Sequence, residues 1–358
     1  MAYLNLHKDR LKHNYDWLSA LFSKHNMDWG VVSKLLCGND EYLKLLIDFG
    51  IREIHDSRIS NLKTIKEINP EVQTVYIKPP AKEIIEDIIR YADVSMNTEF
   101  YTLQELSDEA VRQGKTHKAI IMVETGDLRE GVMGDNLIHF YSKVFELPNI
   151  EIIGLGTNLN CLHGVMPSPD KLVQLSLYKQ IIELKFNKKI PWISGGTSVT
   201  VPLLLNSQLP KGINHFRLGE MLFFGLDLFK NETIPGMNDD VFELYAQIIE
   251  ISEKPMVPYG ELAANPQGDV LQIDEELFGK TSYRAILDVG LLDIDPKYLI
   301  PIEGGLELDV VGASSDMLVL DLGENSNKHK VGDFLSFRLR YMGALSLLNS
   351  SYIEKRVA

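Results

Sequence analysis

What this chain of 358 residues has little of excludes several protein classes at the outset. It holds two cysteines, Cys37 and Cys161, too few for a disulfide framework and suited to a reducing compartment. No apolar run approaches the roughly 18 residues that a membrane-spanning helix needs, so no membrane partner is expected. The opening MAYLNLHKDRLKHNY lacks the apolar core of a cleaved secretion signal, and a cytoplasmic location is expected. Basic residues are the minority: 36 Lys and Arg against 50 Asp and Glu give a formal net charge of −14, which argues against nucleic acid. A small anion stays open to it, because backbone N–H groups at a helix N-terminus hold phosphate whatever the global charge. The chain has no H-E-x-x-H and no C-x-x-C, and His329 is the one histidine beyond residue 216, so no metal is expected. It also lacks a G-x-G-x-x-G turn after its first strand-like run, the signal of a doubly wound dinucleotide fold.

What is present is an ordinary globular composition, 45% hydrophobic and 24% charged, arranged in a regular alternation. Eight short apolar or β-branched runs recur: WGVVSKLL (29–36), REIHDS (52–57), VQTVYIK (72–78), ADVSMN (92–97), KAIIMVET (118–125), IEIIGLGTN (150–158), IPWISGG (190–196) and NHFRLG (214–219). Between them lie segments of helical period such as NDEYLKLLIDFG and DKLVQLSLYKQIIELK. Strands alternating with helices predict a parallel sheet, since parallel strands need helical crossovers. Eight such units within about 220 residues fit a (β/α)8 barrel. After residue 232 the texture changes. NETIPGMNDD reads as a linker, and VFELYAQIIEIS, YRAILDVG, GLELDVVGASSDMLVLDL and FLSFRLRY alternate apolar with polar residues. The expectation is an α/β chain with a barrel over residues 1–232 and a mostly β domain over 233–358, residues 1–9 packing with the second domain.

In such a barrel the chemistry sits at the C-terminal ends of the strands. Lys34 ends the first run, Arg129 follows the fifth in ETGDLREG, and Asn158 and Asn160 follow the sixth in GTNLNC. SGGTS, which contains Ser194, Gly195, Thr197 and Ser198, follows the seventh, and Arg217 with Gly219, Glu220 and Met221 follows the eighth. The loops after strands seven and eight are frequent phosphate sites; glycines let the backbone approach an anion, and hydroxyls supply donors. The bland reading of SGGTS is a serine-capped turn, and that of Lys34 a snorkelling strand-end lysine. The sharper reading of Lys34 is a partly desolvated amine that attacks an aldehyde. A lysine and a phosphate site in one mouth suit pyridoxal phosphate, and at this point suit a phosphorylated sugar as well.

With VVSK, ETGDLREG, GTNLNC, SGGTS, NHFRLGEMLFFG and GASSDMLVLDL in this order, the chain resembles the fold-type III pyridoxal-phosphate enzymes of the alanine racemase superfamily, and most the branch that includes ornithine racemase. The resemblance implies pyridoxal 5'-phosphate held as a Schiff base on Lys34, which also serves as one acid/base group. It implies that Arg217 meets the pyridine nitrogen and keeps it unprotonated. Ser194, Gly195, Thr197 and Ser198 with the backbone of Gly219, Glu220 and Met221 would hold the cofactor and its phosphate. Asn158 would lie against the ring, and Arg129 and Asn160 would orient the substrate. It further implies a homodimer in which the partner subunit completes each active site.

The sequence also departs from that pattern. Where alanine racemases carry a catalytic tyrosine, AILDVGLLDIDP places Leu291, which cannot move a proton, and LLCGND lacks the tyrosine that binds phosphate. An alanine substrate is therefore not expected. The second acid/base is sought among Cys161, His163, Asp293, Asp316 and Tyr341, and a distal ammonium of a basic amino acid could meet Glu261, Asp288, Asp293 or Asp295. A non-catalytic cofactor-binding protein and a lyase, either an aldolase or a decarboxylase, are the competing readings.

Overall fold

The computed structural model describes residues 2–264, 268, 270–301 and 309–358. Contacts divide the chain into a unit formed by Lys8–Val241 and a second formed by Met1–His7 with Phe242–Ala358. The first unit therefore extends to Val241, beyond the boundary at 232 expected from composition. The expected linker, residues 231–240, contains one strand of a small hairpin of the barrel unit.

The chain opens with strand β1 (Tyr3–Leu6) of the second unit and then helix α1 (Lys8–Lys24) of the first. Strands and helices next alternate: β2 (Asp28–Val32), α2 (Asp40–Asp48), β3 (Glu53–Asp56), α3 (Ile59–Ile68), β4 (Gln73–Tyr76), α4 (Ile85–Tyr91), β5 (Val94–Asn97), α5 (Phe100–Arg112), β6 (His117–Met122), α6 (Leu137–Val144), β7 (Ile150–Gly156), α7 (Pro169–Phe186), β8 (Trp192–Ser194), β9 (Gly196–Thr197), α8 (Val201–Leu205), β10 (His215–Leu218) and α9 (Glu220–Phe224). The hairpin β11 (Leu226–Asp227) with β12 (Glu232–Thr233) closes the unit.

All neighbouring pairs in the large sheet are parallel, in the order β8-β7-β6-β5-β4-β3-β2-β10-β9. β8 and β9 are two halves of one extended segment interrupted at Gly195, the first paired with β7 and the second with β10. The ring is thus closed by eight strands, each matching one of the eight runs in the sequence. Burial on both faces explains why those runs read as nearly continuous apolar stretches. Val75, Val94, Met96, Ile120, Met122 and Ile153 form one buried cluster, each at most 6% exposed, and burying such a side chain contributes about 1.5–3 kcal/mol. Helix starts follow local chemistry: Asn39 accepts the Tyr42 N–H at 3.0 Å, and Asp40 and Glu41 lie in the first turn of α2.

In the second unit β13 (Phe242–Pro255) is the central strand, antiparallel to β14 (Thr281–Leu287), β18 (Phe334–Leu339) and β1. β15 (Leu299–Pro301), β16 (Asp309–Ala313) and β17 (Leu318–Asp321) extend the sheet, and β19 (Glu354–Val357) pairs parallel with β1. Of the run GLELDVVGASSDMLVLDL, residues 305–308 lie outside the described residues. Helix α10 (Tyr341–Asn349), built on the apolar YMGALSLLN, is the one long helix among the described residues of the domain read as mostly β.

Inside the barrel His117 is buried, with its Nε2 2.7 Å from Ser95 Oγ. That hydroxyl accepts from Asn97 Nδ2 at 2.9 Å, which leaves its own proton for the imidazole. Burial pushes the His117 pKa down from 6.5 to about 4. The depressed value means that stability present above pH 6.5 is lost as pH falls toward about 4, by roughly 3 kcal/mol for a fully buried group. Thermal unfolding followed across that window should therefore show a falling melting temperature, and His117→Gln should flatten part of the slope.

Candidate active site

The barrel mouth is organised by a buried arginine. Arg217 lies on β10, where all four residues are buried, in register with Gly30 of β2 and Thr197 of β9. Its NH1 donates to Ser194 O and Ser194 Oγ, both at 2.5 Å, and its NH2 to Thr157 O and Asn158 Oδ1, both at 2.7 Å. Nε–H has no partner among the described residues. Burial pushes the Arg217 pKa down to about 10, against the opposing pull of Cys161 and Glu130, so the guanidinium stays cationic at neutral pH. Gly196 makes room for the neighbouring strand: a Cβ there would fall 2.1 Å from the Phe216 ring.

Asn158 extends the network, its Nδ2 donating to Glu130 Oε1 at 2.5 Å. Glu130 in turn takes both Nε and NH2 of Arg129, the latter at 2.6 Å, and holds the Arg129 pKa above its usual value. Arg129, expected to address the substrate, is therefore already ion-paired, and Glu130 is a site residue that sequence reasoning missed. Asn160 follows in the left-handed region at φ 60°.

Lys34 departs from expectation in its local structure. The apolar run does not continue through it: β2 ends at Val32, Ser33 turns the chain, and Lys34 opens a 3-10 turn ending at Leu36. Ser33 causes this break, because its buried hydroxyl donates to Asp56 Oδ2 at 2.8 Å. Leu35 and Leu36 are buried while the Lys34 side chain is exposed, so the expected desolvated strand-end amine is instead an accessible one at the mouth. Across from it on the β10 side, burial pushes the Glu220 carboxyl up, and the positive charge of Lys34 partly offsets this.

The expected phosphate loops divide into two parts. Thr197 and Thr200 form a reciprocal capping box, and Ser198 Oγ accepts the Met221 N–H at 3.1 Å. As the first residues of α9, Glu220, Met221 and Leu222 have amides without a carbonyl partner in the helix. Donors of this kind, hydroxyls and helix-start amides beside glycine, fit a phosphate group. Ser194 is not part of this cup; it is fully buried and occupied by Arg217 and His215. Gly195 is not either, since a Cβ on it would meet Ile213, Leu172 and Leu175 on the helical side at 3.0–3.2 Å.

The loop after β7 hangs on Asp127. Its carboxylate accepts the backbone N–H groups of Cys161, Leu162, His163 and Val165, at 2.9 to 3.3 Å. Burial pushes its pKa up, but the four amides outweigh this and hold it below the usual carboxylate value. His163 Nδ1 lies 2.8 Å from Asp127 O, so Nδ1 carries the proton and Nε2 remains the basic nitrogen. Cys161 is exposed and within electrostatic reach of both Arg129 and Arg217. The remaining acid/base candidates lie in the second unit, where Asp293 Oδ1 accepts from Ser350 Oγ at 3.0 Å, Asp316 from Ser315 at 2.9 Å, and Tyr341 begins α10. Asp295, considered for a distal ammonium, is paired with Lys297.

A closed parallel barrel with a lysine after its first strand, an arginine on its last and a group of hydroxyls and helix-start amides beside both, followed by an antiparallel β domain, is the fold-type III architecture. Residues 6–227 match the family described as alanine racemase, N-terminal domain, and the chain belongs to that family, whose members depend on pyridoxal phosphate. It is 37% identical over 350 residues to an ornithine racemase of Acetoanaerobium sticklandii, covering 98% of this chain and 97% of that protein. It is 31% identical over 325 residues to a lysine racemase of Thermotoga maritima, covering 90% and 89%. Among solved structures it is similar to the alanine racemase of Clostridium difficile 630 (TM-score 0.75, 15% identity, 100% of this chain and 95% of that one). It is also similar to that of Bartonella henselae with covalently bound pyridoxal phosphate (TM-score 0.76, 16% identity, 100% and 99%). These structural likenesses show the fold.

The Asp127 anchor has a direct test. Asp127→Ala should leave four amides without an acceptor, so hydrogen exchange at Cys161, Leu162, His163 and Val165 should speed up by roughly ten- to a hundredfold while the barrel strands stay protected.

Proposed function

We propose that this protein is a pyridoxal-phosphate-dependent racemase of a basic amino acid such as ornithine or lysine. The observation that supports it most is the convergence on one barrel mouth of Lys34, the unpartnered Nε–H of Arg217, and the cup made by Ser198 and the start of α9. The two curated relatives, an ornithine racemase and a lysine racemase by name, support the substrate class. They also favour turnover over cofactor storage, and racemisation over lyase chemistry.

When bound, pyridoxal phosphate supplies an electron sink that acidifies the Cα proton of an amino acid attached to it. The chain's own residues do the rest. The accessible amine of Lys34 holds the cofactor covalently and moves the Cα proton on one face. Arg217, with both terminal nitrogens fastened to the barrel, offers Nε–H to the ring nitrogen, and its positive charge keeps that nitrogen unprotonated. Thr197, Ser198 and the amides of Gly219, Glu220 and Met221 bind the phosphate, and Asn158, held between Arg217 and Glu130, lies against the ring. Arg129 and Asn160 face the substrate carboxylate, the charge of Arg129 being tempered by Glu130.

A racemase needs a second proton carrier on the opposite face. Cys161 is the leading choice, because it is exposed and lies within electrostatic reach of Arg217; His163, with its free Nε2, stands beside it on the same loop. Asp293, Asp316 and Tyr341 act only if the protein is a homodimer whose β unit reaches the partner's barrel, and we include that dimer and a cytoplasmic location in the proposal.

Chiral chromatography of single enantiomers of ornithine and lysine should show interconversion, and Lys34→Ala should abolish it. Borohydride should remove the visible absorbance of the protein and leave the label on Lys34. Cofactor-loaded protein that interconverts no basic amino acid would refute the reading. Cys161→Ala should slow racemisation by roughly 10²–10⁴-fold while one enantiomer still exchanges its Cα proton with deuterated solvent. Unchanged racemisation in that variant would transfer the role to His163 or the β unit.

A further inference from the structure

Below Arg217 the barrel interior holds a polar chain that the proposed reaction leaves unused. Ser194 Oγ, which accepts from Arg217 NH1, lies 2.6 Å from His215 Nδ1. His215 Nε2 lies 2.8 Å from Glu53 Oε1, and His55 Nε2 lies 2.6 Å from the same oxygen. Both imidazoles are fully buried, and the Glu53 side chain is 12% exposed. The backbone dictates the alignment: His215 and Arg217 are two apart on β10, and Glu53 and His55 two apart on β3, so each pair shares a strand face. The Trp192 ring stacks on His215 at 4.2 Å and fixes its plane. Gly30 leaves the space, since a Cβ there would lie 2.3 Å from His55 Nε2 and 2.6 Å from Glu53 Oε1.

The donors set a single direction along this chain. Because Ser194 Oγ receives a proton from Arg217, its own hydroxyl proton is free for His215 Nδ1. His215 then carries its proton on Nε2 and donates it to Glu53. His55 likewise donates from Nε2, leaving its buried, unpartnered Nδ1 as a bare lone pair. The same three side chains have the donor composition of a metal triad. Metal bound at His55 Nε2 would instead place an N–H on that unpartnered Nδ1, the costlier arrangement. Burial pushes the Glu53 carboxyl up, yet the bonds from His215 and His55 outweigh this and hold it far below the usual carboxylate range. Burial keeps His55 neutral. A carboxylate at the N-terminal end of the barrel is thus joined through an imidazole and a hydroxyl to a guanidinium at its mouth.

We propose that Glu53 is a positioning residue for Arg217, its negative charge, relayed through His215 and Ser194, holding the guanidinium cationic and oriented toward the cofactor ring. This deepens the reading above, on which the role of Arg217 rests. The groups in electrostatic reach of Arg217 are Cys161 and Glu130, which favour its charge, and Arg129, which opposes it, so Glu53 is joined to it through the hydrogen-bonded chain; His55 lies close enough for Arg217 to act on it. The affinity of the apoprotein for pyridoxal phosphate should be measured by equilibrium dialysis from neutral to alkaline pH in wild type, Glu53→Gln, Ser194→Ala and the double variant. Each single change should weaken binding about tenfold and lower by about one unit the pH above which binding declines. The double variant should lose no more than either single one, because both cut the same chain. Additive losses, or a wild-type profile in Ser194→Ala, overturn the proposal, and the latter decides even if Glu53→Gln does not fold. If wild type binds no pyridoxal phosphate, the functional reading fails. The relay is then judged by urea unfolding of the same four apoproteins, where non-additive losses support it and additive ones refute it.

Discussion

The structure depends on keeping one guanidinium charged inside a closed barrel. Taking such an ion out of water costs several kcal/mol unless its donors find acceptors. The barrel answers with two carbonyls, a hydroxyl and an amide oxygen at 2.5–2.7 Å from the terminal nitrogens of Arg217. These acceptors come from β8 and from the segment just after β7, so the closure of the ring and the placement of the arginine are one problem solved together. Beyond them stand two carboxylates, Glu130 toward the mouth, reached through Asn158, and Glu53 toward the other end, reached through Ser194 and His215. Charge on Arg217 is thus balanced without direct ion pairing, which leaves Nε–H available for a ligand.

The same geometry explains how a mouth rich in polar groups sits on an apolar barrel. Four strands deliver a polar feature where their ladders end: the Ser33 turn that presents Lys34, the Asp127 loop anchor, the Asn158 bridge, and the capping box that precedes α8. Short local hydrogen bonds terminate the strands, and those terminations point the reactive groups outward. Asp127 deals with the longest of these loops by taking four amides on one carboxylate, a cheap way to order a segment that has no ladder of its own.

Family membership accounts for the barrel and its dependence on pyridoxal phosphate, and the departures from the alanine racemase pattern carry the individuality of this chain. Leu291, which the resemblance sets against the alanine racemase tyrosine, is 38% exposed in the second unit and has no proton to move. Arg129 is paired with Glu130 instead of standing free. Those two differences shift attention from the β unit to the loop bearing Cys161 and His163.

The sequence by itself determined the alternation of eight strands with helices, because strands buried on both faces have to be apolar runs. It also pointed to the strand ends, and the structure has Lys34 just after β2, Ser198 just after β9 and Arg217 near the end of β10. The turn at Lys34 was not legible, since only the bond from Ser33 to Asp56 of the adjacent strand shows why β2 stops early. Ser194 read as a loop hydroxyl and proved to be an interior one, because its role depends on Arg217 and His215 of β10. Glu130, Asp127 and the Glu53 relay were invisible for the same reason. Each has a partner that lies 28 or more positions away along the chain, Asn158 for Glu130, Cys161 for Asp127 and His215 for Glu53. Parallel register in a closed ring alone brings those groups within hydrogen-bonding distance.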